Sequence, residues 1–283
     1  MATSKEFPQY RWVTPRSFTQ GRKTGQPSVI VIHTTEGSEG VKSAEDGAAY
    51  DARRTDGTST HFFCDQDSTV QCVLTTDEAH TARAHGNDVG VQIEICGRAG
   101  QTKNQWDDKA STGALEQAAR LCKTLRDKWG DGRFPLKHLT PTQLHAGGPG
   151  FAGHVDVTRA WPEDKGTHTD PGTNFPWAAF LNRIKALEQA AMRALVWQSV
   201  SGTSLPVLKK GENDADGYAN SSTFWVTRAQ RQLRIVDDGD YGPATAAAIN
   251  ALGLPGHNGT TIDMPVWEKL FGLWGASSAL GEK

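Results

Sequence analysis

Gly153-His154-Val155-Asp156 and, one loop later, Thr167-His168-Thr169-Asp170-Pro171-Gly172 bring two histidines, two aspartates and a Pro-Gly stop into a short span of chain. Imidazole nitrogen and carboxylate oxygen are common zinc ligands, and a catalytic zinc takes three protein ligands while a fourth position stays open. His154 and Asp170 are a candidate pair. The third candidate lies far upstream, where the apolar run Val29-Ile30-Val31-Ile32 ends in His33. The three side chains together read as one Zn2+ site. The spacing is not that of HExxH on a single helix, so the ligands must come from a strand end and a long loop that meet in space.

Hydrolysis also needs a proton acceptor. Val89, Val91, Ile93 and Ile95 alternate with Gly90, Gln92, Glu94 and Cys96, a strand pattern that puts Glu94 opposite the aliphatic side chains and in phase with Gln92. A partly desolvated carboxylate beside a polarised water suits a general base. His168, two residues before Asp170, points into the same space and is a candidate to stabilise an oxyanion or protonate a leaving group. Asp156 is expected behind the ligands, supporting them or capping the loop. His85, His138, His145 and His257 carry no argument beyond ordinary loop histidines.

The elements that must position these groups follow from the patterning. Val29 to Ile32 predicts a buried strand, with β-branched residues on both faces. Thr60 to Cys64 and Thr69 to Leu74 predict paired strands around the turn-forming Asp65-Gln66-Asp67-Ser68. Helical spacing predicts a helix over Val41 to Arg54, a second over Thr112 to Trp129 that Gly130 ends, and a third over Pro176 to Leu195. The segment 133–172 is expected to be a long functional loop, and residues 1 to 28 to be irregular. The fold class is α/β.

The chain has 283 residues, enough for about two domains. Hydrophobic residues make up 37% and charged residues 22%, as in globular proteins. A net charge of −2 gives no global attraction to nucleic acid or acidic membrane. No apolar run is long enough to span a membrane, and Met1 to Phe18 lacks the apolar stretch of a secretory signal. Synthesis in a cytoplasm, without membrane insertion or nucleic-acid partner, is the expectation. Cys64, Cys72, Cys96 and Cys122 form no CxxC pair and are expected to be buried, reduced thiols. Ser199 to Pro206 has linker composition, giving a catalytic domain over 1–198, a linker over 199–206 and a smaller domain over 207–283.

Four stretches carry a family resemblance: VIVIHTTEG with His33, STHFFCDQDSTVQ with His61, EAHTARAHGNDVGVQIEICG with His80 and Glu94, and GHVDVTRAWPEDKGTHTDPG with His154, His168 and Asp170. Over roughly residues 10 to 185 the chain resembles the zinc-dependent N-acetylmuramoyl-L-alanine amidases, the superfamily of amidase type 2 enzymes and peptidoglycan recognition proteins. The resemblance implies a central mixed β-sheet flanked by helices. It implies cleavage of the amide between N-acetylmuramic acid and L-alanine in peptidoglycan, with zinc on His33, His154 and Asp170 and Glu94 as base. It places His61 and His80 near the substrate groove, as substrate contacts or as support. Many members carry Lys where this chain has His168, and some carry Tyr where it has Thr60.

The segments LKKGENDADG, VTRAQRQL, VDDGDYGPATAAAINAL and PVWEKLFG are similar to three-helix peptidoglycan-binding domains, with helices expected at Phe224 to Leu233, Pro243 to Leu252 and about Met264 to Gly272. A catalytic domain tethered to a wall-binding domain raises local substrate concentration. This arrangement suggests a monomeric phage endolysin, released to the cell wall by a holin. The alternatives are a peptidoglycan-recognition module that binds without cutting, and a zinc peptidase acting within the stem peptide.

Overall fold

The computed structural model describes residues 2–200, 208–209, 229–230, 233, 241–254, 258–263, 266 and 269–270, of which 192–200 and 208–209 are described by their backbone. It divides into two compact units, Met1–Lys185 and Ala186–Lys283.

The first unit is built on one mixed sheet of seven strands. In chain order they are β1 (Ala2–Thr3), β2 (Arg11–Trp12), β3 (Val29–Thr34), β4 (Phe62–Cys64), β5 (Thr69–Gln71), β6 (Gly90–Ile95) and β7 (Gly150–Gly153). Their order across the sheet is β1-β2-β5-β4-β6-β3-β7. The central run β4-β6-β3-β7 is parallel, while β4 pairs antiparallel with β5 and β1 with β2. Every residue of β3 is buried. That is the expected state of a central parallel strand, and it explains why the Val-Ile-Val-Ile run does not alternate with polar residues.

Helices cover both faces: α1 (Ser43–Asp51), α2 (Arg83–Val89), α3 (Lys103–Trp106), α4 (Lys109–Trp129), α5 (Pro141–His145), α6 (His154–Ala160) and α7 (Trp177–Val200). α4 starts where the Asp108 carboxylate accepts the Ser111 N–H and stops at Gly130, whose φ is +88°. It buries Ala114, Ala118, Leu121, Cys122 and Leu125, one helical stripe, and packs on β4, β5 and β6. The side chains of β3 and β6 divide by the two-residue pleat. Ile30, Ile32, Ile93 and Ile95 share one face. Val31 and His33 share the other with their register partners Gln92 and Glu94.

That second face carries two separate apolar clusters. One joins Val29, Val31 and Ala152 to Val157, Ala160 and Trp161 around α6. The other joins Phe63, Val70, Cys72 and Cys96 to Ala44 and Ala48 of α1. His33 and Glu94 belong to neither cluster.

Three local expectations are corrected. The segment 133–172 is not one loop: it holds α5, the edge strand β7, α6 and a 3-10 turn, Pro162–Asp164. Its Gly and Pro residues mark the joints between these short elements, so composition alone hid them. Residues 1 to 28 are not wholly irregular, since β1 and β2 extend the sheet. Val89 ends α2 rather than opening β6; α2 passes into the strand at Gly90 with no loop between. All four cysteines are buried and unpaired, and burial pushes the Cys64 thiol up to about 12.

In the second unit the described residues include the helix α8 (Pro243–Asn250) and an antiparallel pair, β8 (Leu208–Lys209) with β9 (Thr261–Ile262). α8 begins at Pro243, the expected start of the helix over Pro243 to Leu252, with proline in the first helical turn. Buried Tyr241 donates its hydroxyl to the Gly259 carbonyl at 3.1 Å. The expected helices over Phe224 to Leu233 and Met264 to Gly272, and most of the 199–206 linker, lie largely outside the described residues.

Candidate metal centre and active site

β3 delivers His33 to the open face from a fully buried strand. β7, its neighbour, ends at Gly153, and His154 is the first residue of α6. A Cβ on Gly153 would stand 2.6 Å from the Pro171 ring, so only glycine lets the 170–172 segment close over this joint. The Val155 N–H donates to the Asp170 carbonyl at 2.9 Å and pins that segment to the start of α6.

The result is a triangle of ligand-bearing side chains, with the two carboxylate oxygens of Asp170 each facing one histidine. His33 Nδ1 lies 3.1 Å from His154 Nδ1 and 3.2 Å from Asp170 Oδ2, and His154 Nδ1 lies 3.4 Å from Asp170 Oδ1. The three buried residues are the group able to hold a metal ion among the described residues. Two imidazoles and one carboxylate are a donor set suited to zinc.

The electrostatics fit mutual support among these groups. Burial raises the Asp170 carboxyl, but hydrogen bonds and charge from His154 and His33 outweigh it and hold the group well below the usual carboxylate range. Burial pushes His154 down to about 4 against the pull of Asp170. In His33 burial also lowers the pKa, yet the Asp170 and Glu94 carboxylates leave it raised.

Glu94 sits in register with His33 on β6 and with Phe63 on β4. Its Oε2 is buried and has no hydrogen-bond partner. Burial pushes the carboxyl up to about 7. Glu94 lines a cavity of about 240 Å³ with Thr35, Gly47, Tyr50, Arg54 and Thr60. A buried carboxylate oxygen with no partner is a candidate proton acceptor.

His168 stacks on His154, with ring centroids 3.7 Å apart, and its Nδ1 lies 3.7 Å from Asp170 Oδ1. Its side chain is 43% exposed. Asp156 caps α6: its Oδ2 accepts the Gly153 N–H at 2.8 Å and a hydrogen bond from His138 Nε2 at 2.8 Å. His61 is fully buried between strands and donates its Nε2–H to the Asp77 carbonyl, while its Nδ1 accepts the Gln92 N–H. Burial, then the Arg22 charge, holds it well below the usual imidazole range. His80 bonds Thr19, Ser17 and the Gly57 carbonyl. Neither His61 nor His80 belongs to the metal triangle or lines the cavity.

Two residues have roles that spacing did not suggest. His138 binds Asp156 and stacks on Trp177 at 3.9 Å. Gln92 accepts at 2.9 Å from His33 Nε2. Gln92 did leave a sequence signal, its phase with Glu94; His138 left none.

Residues 23–173 match the family model described as N-acetylmuramoyl-L-alanine amidase, Amidase_2. Similar solved structures include the hydrolase AmiA of Staphylococcus aureus, at 17% identity and TM-score 0.49, covering 65% of this chain and 86% of that one. An AmpD derivative is 22% identical with TM-score 0.42, covering 66% and 99%. The N-acetylmuramoyl-L-alanine amidase LysC of Clostridium intestinale is 15% identical with TM-score 0.41, covering 63% and 98%. No curated protein sequence matches the chain. The family match spans more than half of the sequence, opens just before β3 and closes just after Asp170, so it encloses the whole triangle and Glu94: the chain belongs to the N-acetylmuramoyl-L-alanine amidase family.

Proposed function

We propose that this chain hydrolyses the amide between the lactyl group of N-acetylmuramic acid and L-alanine in peptidoglycan, with one zinc ion held by His33, His154 and Asp170. The observation that carries this reading is the unpartnered, buried Oε2 of Glu94, a residue that lines the cavity and stands in register with a candidate ligand. When bound, zinc supplies Lewis-acid chemistry, polarising a carbonyl and making water more acidic. Glu94 takes a proton from the attacking water as the new C–O bond forms. It returns that proton to the L-alanine nitrogen as the C–N bond breaks. His168 donates an N–H to the carbonyl oxygen as negative charge builds there.

We extend the same proposal to the whole chain. Residues 1–198 are the catalytic domain, 199–206 the linker, and 207–283 a wall-binding domain. The protein acts as a monomeric phage endolysin that lyses the host cell wall once a holin admits it. The entry into α8 at Gly242-Pro243, within the Asp-Tyr-Gly-Pro sequence, supports the wall-binding reading.

Mass spectrometry of purified cell walls digested with and without a chelator tests the activity. Fragments with new L-alanine amino termini, lost on chelation, are expected. New reducing sugar ends alone, or cuts only within the stem peptide, would overturn the amidase assignment. Wall pelleting without any cleavage would make the chain a recognition module.

A further inference from the structure

Gln92 is completely buried on β6, two residues before Glu94, and both its backbone and its side chain are fixed. Its N–H donates to His61 Nδ1 at 3.0 Å, and its carbonyl accepts from the Thr60 hydroxyl at 3.2 Å. Its side-chain nitrogen faces two backbone carbonyls, Gly86 at 2.8 Å and Gly90 at 3.4 Å. Carbonyl oxygens only accept, so the amide NH2 must point at them, and the amide oxygen must point the other way. That oxygen lies 2.9 Å from His33 Nε2.

The consequence passes along the bonds. An amide oxygen also only accepts, so His33 must carry its proton on Nε2. A neutral imidazole protonated there keeps its lone pair on Nδ1, and His33 Nδ1 is the atom that forms the triangle with His154 and Asp170. We infer that Gln92 is a positioning residue that locks His33 in the tautomer able to bind metal through Nδ1. The inference rests on the zinc reading above.

The cradle for the amide is built by two glycines. A Cβ on Gly90 would fall 2.5 Å from the Gln92 side-chain nitrogen and 2.6 Å from the Gly86 carbonyl oxygen. A Cβ on Gly86 would fall 2.5 Å from Val157 of α6. The direct passage of α2 into β6 therefore has a purpose at the site: it brings two carbonyls onto one side chain. His154 has no such tether, since its Nε2 is buried without a partner.

The test uses the full-length, metal-free protein, labelled with 15N, at a pH where His33 is neutral. The wild-type NMR spectrum is expected to show the His33 proton on Nε2. Gln92→Met keeps the length and burial of the side chain and removes the acceptor. It should release part of His33 into the Nδ1-protonated tautomer. In competition with a chromophoric chelator it should weaken zinc binding by about 10–100-fold, with a thermal melt showing that it is folded. A wild-type His33 protonated on Nδ1 overturns the inference. So does a folded Gln92→Met protein with wild-type tautomer and affinity. If Gln92→Met does not fold, the wild-type spectrum decides alone. Failure of the wild-type protein to take up zinc would instead sink the metal reading and leave the tautomer result standing.

Discussion

The two histidines of the triangle are held in opposite ways. His33 stands on a central strand with parallel neighbours on both sides, and its outer nitrogen bonds Gln92. His154 stands at a joint between an edge strand and a short helix. It is held by the cap at Gly153, by the 170–172 segment against α6, and by the ring of His168. The sheet side is built from ladder hydrogen bonds that the fold needs anyway. The 153–172 side depends on close approach at a few glycines. A site of this kind has one arm that is rigid whenever the sheet is folded, and one arm whose geometry single substitutions can displace.

The largest expected effect separates the arms by chemistry. Glu94→Gln on the sheet side should lower kcat by about 10²–10⁴-fold while bound zinc, measured by metal analysis, stays stoichiometric. His168→Ala on the other side should cost nearer a hundredfold, since it removes one oxyanion donor. Equal losses in cell-wall turnover would erase the division of labour between them.

Gly172→Ala probes the second arm directly. Gly172 has φ +90°, and a Cβ there would stand 1.9 Å from the Ala99 carbonyl oxygen. The expected cost is about 2–4 kcal/mol in denaturant unfolding, together with reduced zinc occupancy, because Asp170 is two residues away. A variant that keeps full occupancy would show that this segment is less constrained than its packing implies.

Asp51, on α1 beneath the cleft, shows what the sheet side tolerates. Burial pushes its carboxyl up to about 6, despite Arg54 at 3.3 Å. A raised acid pKa means the folded state binds the proton more tightly than the unfolded one. The penalty is therefore absent below about pH 4 and fully present above about pH 6. Asp51→Asn should be more stable than the parent at pH 8 by up to about 3 kcal/mol, with the gain gone at pH 3.5. A constant difference across thermal melts in that range would contradict it.

The smallest effect expected is at Asp156. Replacing it with Ala removes the acceptor for the Gly153 N–H and should cost about 1 kcal/mol. Zinc affinity should fall less than for Gln92→Met. The reverse order, measured by chelator competition, would make the helix cap rather than the buried amide the main support of the site.

Much of this site is legible in one dimension. The Val-Ile-Val-Ile run identifies a buried strand because a parallel central strand has no polar face, and alternation in β6 puts Glu94 opposite the aliphatic residues because the pleat repeats every two residues. The segment 133–172 is misread for an equally physical reason. β7 has four residues and α6 has seven, too short for either period to declare itself against a background of Gly and Pro. His138 stays invisible because its partner, Asp156, is fixed only once α6 is capped and β7 has joined the sheet.

Residue types and periodicity marked the candidate ligands, the candidate base and the central strands, and four motifs carried the family resemblance. Those depend on chemistry and on spacing along one element, which the sequence carries directly. Tertiary structure alone decided the separations of His33, His154 and Asp170, the register that sets Glu94 beside His33, and the two glycine carbonyls that orient Gln92. Each of these joins groups far apart in the chain, and hydrogen bonds of about 3 Å tolerate too little error to be inferred from spacing.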